Sequence, residues 1–110
     1  IITPHQKRRF PARVDFHTSI GFLEGGDARA KTGVRGAGPQ AVVTNLCILK
    51  PNEQGELILA ALHPGCTFEE VQANTGWQLK QAPHVEVTPA PTQEELRILR
   101  EELDPQRIYI

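Results

Sequence analysis

Two apolar runs decide what this chain can become. Ala41–Leu49 (AVVTNLCIL) and Glu56–Leu62 (ELILAAL) flank the polar stretch Lys50-Pro51-Asn52-Glu53-Gln54-Gly55. Apolar runs joined by a short turn containing Pro and Gly predict a β-hairpin. The first run is apolar on both faces, with Val43, Cys47 and Leu49 on one and Val42, Leu46 and Ile48 on the other. Strands apolar on both faces belong inside a layered α/β sheet.

The segments around the hairpin supply the helices. After HPGCT turns the chain, Thr67-Phe68-Glu69-Glu70 predicts a capping box, with Thr67 as N-cap and Glu70 reaching back to its N–H. Phe68, Val71 and Thr75 share a face of this short helix, and Gly76 followed by Trp77 predicts a glycine C-cap. The Pro-rich QAPHVEVTPAP is expected to hold polyproline or β geometry. A second capping box, Thr92-Gln93-Glu94-Glu95, opens a helix with Leu96, Leu99 and Leu103 as its buried stripe. Arg97–Glu101 and Arg100–Asp104 are its i,i+4 pairs, Asp104-Pro105 ends it, and Arg107-Ile108-Tyr109-Ile110 is expected to dock as an apolar tail.

On the N-terminal side, Ile1 to Pro4 reads as the end of a strand, and His5 to Arg13 as a basic connector with a helical turn. Val14 to Ile20 alternates apolar and polar residues, which predicts a short strand. Gly21 to Pro39 holds six of the nine glycines and reads as a long loop with a turn of helix at Asp27–Lys31. Loops of this length in a compact domain are usually functional or mobile.

Composition excludes several classes. A chain of 110 residues is at most one domain. A net charge of −1 gives no field to draw it to nucleic acid or an anionic membrane surface. No apolar run approaches the ~20 residues needed to span a bilayer. Two cysteines without a disulfide-dense pattern fit a reducing cytoplasm. There is no methionine, and the chain opens directly on an apolar β-like run, so it reads as a piece of a longer polypeptide.

Few residues carry chemistry by themselves. Cys66 stands one residue before a helix start, where backbone N–H groups lower a thiol pKa, but nucleophilic catalysis also needs a base and an oxyanion stabiliser. Cys66 therefore reads as a corner-filling residue, and Cys47, between Leu46 and Ile48, as core. The four histidines lack HxH or HxxxH spacing and no cysteine pair completes a zinc site, so no metal is expected. Lys7-Arg8-Arg9 with Arg13 reads as a solvated turn, with a phosphate grip as the alternative. Gly33, Gly36 and Gly38 would let backbone approach a ligand and expose N–H groups, although no helix start follows as a dinucleotide fingerprint requires. Glu24, beside Gly25 and Gly26, is either a carboxylate nucleophile or a loop glutamate in water.

Taken in order, RRFPARVDFHTSIGFLEGG, GAGPQAVVTNLCIL, ELILAALHPGCTFEEVQANTGW and PTQEELRILREELDPQRIYI resemble the C-terminal part of the β-subunit of class I coenzyme A transferases, close to the glutaconate CoA-transferase group. The LHPG-x-T-x-E-E-V run and the closing EELDP-x-x-IY are the specific parts. The resemblance implies an α/β protein with the open three-layer α/β/α fold of NagB/RpiA/CoA-transferase-like proteins. Residues 1–110 would form a single partial domain giving the later strands and closing helices. It implies transfer of coenzyme A between two carboxylic acids: a glutamate attacks the acyl-CoA thioester, forms an acyl anhydride, and then carries CoA as a glutamyl thioester. Coenzyme A and acyl-CoA are substrates, with no permanently bound cofactor. The expected partners are an α-subunit and the N-terminal part of the β-subunit, in the cytoplasm.

In this family the nucleophile lies in an E-x-G motif near the start of the β chain. Glu24-Gly25-Gly26 matches that motif but sits far too late, so the catalytic glutamate is expected outside these residues. The resemblance makes Cys66 structural. It leaves Phe22, Gly25, Gly26, Gly33, Gly36 and Gly38 as candidates for the border of the CoA cleft or of the partner subunit. Some relatives lack the glutamate and act as hydrolases on ring-cleaved acyl-CoA, and a non-catalytic binding module is the third reading.

Overall fold

A computed structural model describes residues 1–108. The elements in chain order are α1 (Ala28–Lys31), β1 (Val42–Val43), β2 (Cys47–Pro51), β3 (Leu57–Leu62), α2 (Phe68–Ala73), β4 (Gln81–Val87), α3 (Gln93–Arg97) and a π-helix (Ile98–Leu103). The strands form one mixed sheet in the order β1-β2-β3-β4, antiparallel except for the parallel β3/β4 pair. A parallel neighbour needs a crossover, which α2 provides. The α/β class expected from the sequence is the one observed.

The predicted hairpin is β2 and β3. Asn52 shapes its tip: Oδ1 accepts from the N–H groups of Gln54 at 3.0 Å and Glu56 at 2.9 Å. The register slips between Ile48 and Leu49, so that Ala60 is an extra residue in β3.

The run Ala41–Leu49 is not one strand. It reverses between β1 and β2 through Thr44-Asn45-Leu46-Cys47. The Thr44 hydroxyl accepts from the N–H groups of Leu46 at 3.1 Å and Cys47 at 3.0 Å, and the Thr44 N–H donates to the Cys47 carbonyl at 2.9 Å. Thr and Asn side chains compete for backbone partners in this way, which makes them turn residues even inside apolar runs. The reversal reassigns the faces. Val42 pairs with Leu49 and Val43 with Ile48, so Val42, Cys47 and Leu49 point into the core while Val43 and Ile48 share a half-exposed face.

The outer edge of β1 is taken by the chain's first residues. Val43 N–H donates to Ile1 O at 2.8 Å and Thr3 N–H to Val43 O at 3.1 Å, a parallel bridge centred on Ile2. Val14–Ile20 is therefore not a strand, despite its alternation. It has no ladder partner among the described residues and runs exposed, Phe16 at 79%. Periodicity sets which side chains share a face, but a strand also needs a neighbour to receive its hydrogen bonds.

The core lies on one face of the sheet, where Val71 of α2 meets Val42, Leu49, Leu59, Leu79 and Phe10. Thr67 caps α2 as expected, accepting from Glu70 N–H at 3.2 Å; the return bond from the Glu70 side chain is not formed. Gly76 is no left-handed C-cap; Asn74 holds the C-cap position. Glycine is needed at 76 because backbone passes against it: its N–H donates to Phe10 O at 2.7 Å, and a Cβ there would meet Phe10 O at 2.7 Å and Pro11 C at 2.8 Å. The Pro-rich segment joins the sheet as β4.

At the C-terminal end the Thr92/Glu95 capping box is complete. The predicted leucine stripe is not. From Ile98 the helix widens, with Asp104 N–H donating to Leu99 O at 2.8 Å, five residues back. The extra residue per turn carries Leu103 off the line of Leu96 and Leu99, and it is 72% exposed. Arg97 does pair with Glu101, at 3.7 Å, and more closely with Glu94 and Glu102. Asp104 is buried, its Oδ1 accepting from Ile108 N–H at 2.8 Å. Ile108 is exposed, and the rest of the expected docking tail, Tyr109 and Ile110, lies outside the described residues. The radius of gyration is 16.1 Å. A compact domain of this length has about 13 Å.

Two substitutions test this packing. Gly76→Ala should lower stability to urea by about 3 kcal/mol, because the added methyl meets main chain that cannot step aside. The second concerns His5, 3% exposed and stacked on Phe10 at 4.3 Å. Burial holds its pKa below the ordinary 6.5. The unfolded chain then binds the proton more readily, so His5 contributes stability above pH 6.5 that is lost as pH falls through the folded pKa. His5→Phe should flatten the stability profile between about pH 7 and 5; an unchanged slope in thermal melts would remove His5 as its source.

Candidate functional site

The glycine-rich segment predicted as a loop is built around Phe22. Its ring lies between Gly38 and Gly55: a Cβ at Gly38 would meet Phe22 Cε1 at 3.0 Å, and one at Gly55 would meet Phe22 Cβ and Cγ at 3.0 Å. Gly26 N–H donates to Gln54 O at 2.7 Å, and Gly25 closes onto the same carbonyl so tightly that a Cβ would overlap it. Phe22, Gly25, Gly26 and Gly38 thus converge on the β2/β3 hairpin tip.

The turn from Ile20 to Glu24 separates two clefts. One, of about 670 Å³, is lined by Arg13, Asp15, Phe16, His17, Glu24 and Trp77 among others. The other, of about 760 Å³, is walled by Ile20, Arg29, Val34, Gly36, Gly38 and Pro39 among others. Glu24 follows Leu23, whose φ of 51° lies in the left-handed region that non-glycine residues rarely occupy. Glu24 and the glycines at 36 and 38 therefore face different clefts. Gly33 closes α1 in open surroundings and lines neither.

Arg29 is the residue that sequence reasoning missed. Its Nη1 donates to Gly21 O at 2.8 Å, Nε to Gly36 O at 3.2 Å and Nη2 to Arg35 O at 3.4 Å. One guanidinium thus ties both ends of the loop. The available signal was an arginine on the one helical turn within a loop of six glycines.

The remaining candidates hold structure together. His63 of the HPG motif donates from Nε2 to Thr44 O at 2.9 Å, since a carbonyl only accepts, and its Nδ1 accepts from the Thr88 hydroxyl at 2.7 Å. It therefore joins the end of β3 to the β1/β2 turn and to the residue after β4. Cys66 is half-buried against the core, its N–H donating to His63 O at 3.0 Å. Cys47 is wholly buried, and burial pushes its thiol pKa up, away from the reactive thiolate. Lys7, Arg8 and Arg9 lie in an exposed turn. Among the described residues no three His, Cys, Asp or Glu side chains gather as metal ligands, and no helix is long and apolar enough to cross a membrane.

No protein-family model matches the chain. Individual proteins do. It is 46% identical over 101 residues to the β-subunit of 3-oxoadipate CoA-transferase from Pseudomonas knackmussii, an alignment covering 91% of this chain and 39% of that protein. It is 39% identical over 112 residues to the β-subunit of glutaconate CoA-transferase from Acidaminococcus fermentans, covering all of this chain and 42% of the relative. The crystal structure of glutaconate coenzyme A-transferase from the latter organism matches with a TM-score of 0.89 and 37% identity, over 99% of this chain and 42% of that one. Rhodococcus jostii IpdAB matches with a TM-score of 0.75 and 29% identity, over 97% of this chain and 43% of that one. The chain spans about two fifths of the length of these relatives. Over nearly its whole length, in both sequence and backbone, the chain is similar to part of these CoA-transferase β-subunits.

Proposed function

We propose that this chain is the C-terminal part of the β-subunit of a cytoplasmic CoA-transferase, working with an α-subunit to move coenzyme A between carboxylic acids. The observation that carries this reading is the match to glutaconate coenzyme A-transferase at a TM-score of 0.89 over 99% of the chain. Both β-subunit relatives are named for dicarboxylic acids, 3-oxoadipate and glutaconate, so a short dicarboxylate is the substrate class we assign. Coenzyme A enters and leaves as substrate.

The reacting carboxylate, in this reading, lies outside these residues. Glu24 is exposed and has no hydrogen-bond partner among the described residues, whereas a nucleophile of this kind must be held against the thioester and beside oxyanion donors. The glutamate carboxylate attacks the thioester carbonyl and expels CoA thiolate, leaving a mixed anhydride. The thiolate then attacks the glutamyl carbonyl and releases the first acid as its carboxylate. The second acid repeats these steps in reverse. The contribution we assign to this chain is the cleft wall that includes Gly36 and Gly38, braced on the hairpin tip through Phe22, Gly25 and Gly26, with Gly33 outside it.

A hydrolase on the same scaffold is the second reading, because the IpdAB backbone also matches over 97% of the chain; the IpdB chain of R. jostii is named a cholesterol ring-cleaving hydrolase. The α/β complex should exchange isotopically labelled 3-oxoadipate into 3-oxoadipyl-CoA. Borohydride should trap one glutamate, at a position outside residues 1–110. Thioester loss without label exchange or a trapped glutamate would establish the hydrolase. Glu24→Gln in that complex should leave kcat within about two-fold of the parent, where loss of a true nucleophile costs several orders of magnitude.

A further inference from the structure

The glycine loop has a clamp. Arg29 sits half-buried with three of its N–H groups on main-chain carbonyls from two separate segments, Gly21 on one side and Arg35 and Gly36 on the other. No carboxylate lies within ion-pair distance of it among the described residues. Its charge is met by carbonyl dipoles, and the planar fork fixes the directions from which they approach.

The packing interlocks with this fork. A Cβ at Gly38 would stand 3.2 Å from Arg29 Nε and 3.0 Å from Phe22 Cε1, at a φ of +85° that disfavours any side chain. Phe22 in turn rests on Gly55 of the hairpin tip. The loop is therefore referred through Arg29 and Phe22 to the sheet.

We infer that Arg29 is a positioning residue, which holds the Val34–Pro39 backbone in place as the wall of the second cleft. The inference rests on the reading that this cleft belongs to the acyl-CoA site. Lysine is no substitute, because a single ammonium does not reproduce three divergent N–H directions. Alanine at position 38 displaces the fork from the other side, which gives an independent variant.

The test uses the full α/β complex carrying R29A, R29K or G38A, with two readouts. In all three variants, amide hydrogen exchange at Leu23, Gly33 and Val34, whose N–H groups are hydrogen-bonded at the two ends of the clamped loop, should rise at least about ten-fold while amides of β2 and β3 stay protected. The kcat/KM for label exchange between 3-oxoadipate and its CoA ester should fall about 10- to 100-fold, R29K included. Unchanged amide exchange in R29A overturns the clamp. Faster amide exchange with unchanged kcat/KM overturns the positioning role and leaves the transferase reading standing. A parent complex without label exchange overturns the transferase reading, and amide exchange alone then decides the clamp.

Discussion

One hydroxyl group organises the sheet. Thr44 Oγ1 closes the β1/β2 reversal by accepting two main-chain N–H groups, and it lies 3.3 Å from His5 Nδ1 and 3.6 Å from Cys47 Sγ. The Thr44 carbonyl accepts from His63. His5 Nε2 continues the network to Thr75 Oγ1 at 3.0 Å, beyond the end of α2. Four parts of the chain far apart in sequence are thereby fixed around a single residue. Buried polar groups are tolerable only when satisfied, and no buried side-chain N or O atom among the described residues lacks a partner. A polar network of this kind adds to the register already set by the buried apolar face, because a slip would also leave its buried groups without partners.

A second centre lies at the hairpin tip. There the contacts are the Phe22 ring, the Gln54 carbonyl and the Arg29 fork, with glycines wherever a side chain would intrude. The two centres divide the labour. The Thr44 network sets the sheet, and the sheet presents a hairpin tip on which a glycine-rich loop can hold a definite shape. Exposed loop backbone otherwise has little to oppose its conformational entropy.

Local grammar was legible in the sequence; partners distant in sequence were not. The Thr67 and Thr92 caps, the Asn52 turn and the β2/β3 hairpin rest on residues within a few positions of each other, and all are observed. Errors came where a distant segment decided the outcome. Ile1–Thr3 takes the outer edge of β1 while Val14–Ile20 finds no ladder partner among the described residues, and the passage of Phe10–Ala12 beside Gly76 turns an expected cap into a point of contact. Thr44-Asn45 was a turn signal hidden by the apolar residues around it. The clefts were hardest to see, because Arg29 acts through carbonyl oxygens, which leave no mark in composition.

The helical arm after β4 stands apart from these centres. From Gln93 to Leu103 it is shorter than the ~12–15 residues at which an isolated helix becomes even marginal in water. No side chain in that span is fully buried. Its own supports are the N-terminal cap and the cluster of Arg97 with three glutamates, surface ion pairs of small individual worth. The order of this arm thus rests on little more than its cap, its charge cluster and the half-buried Leu96 and Leu99, since the wider turn sets Leu103 off their side of the helix.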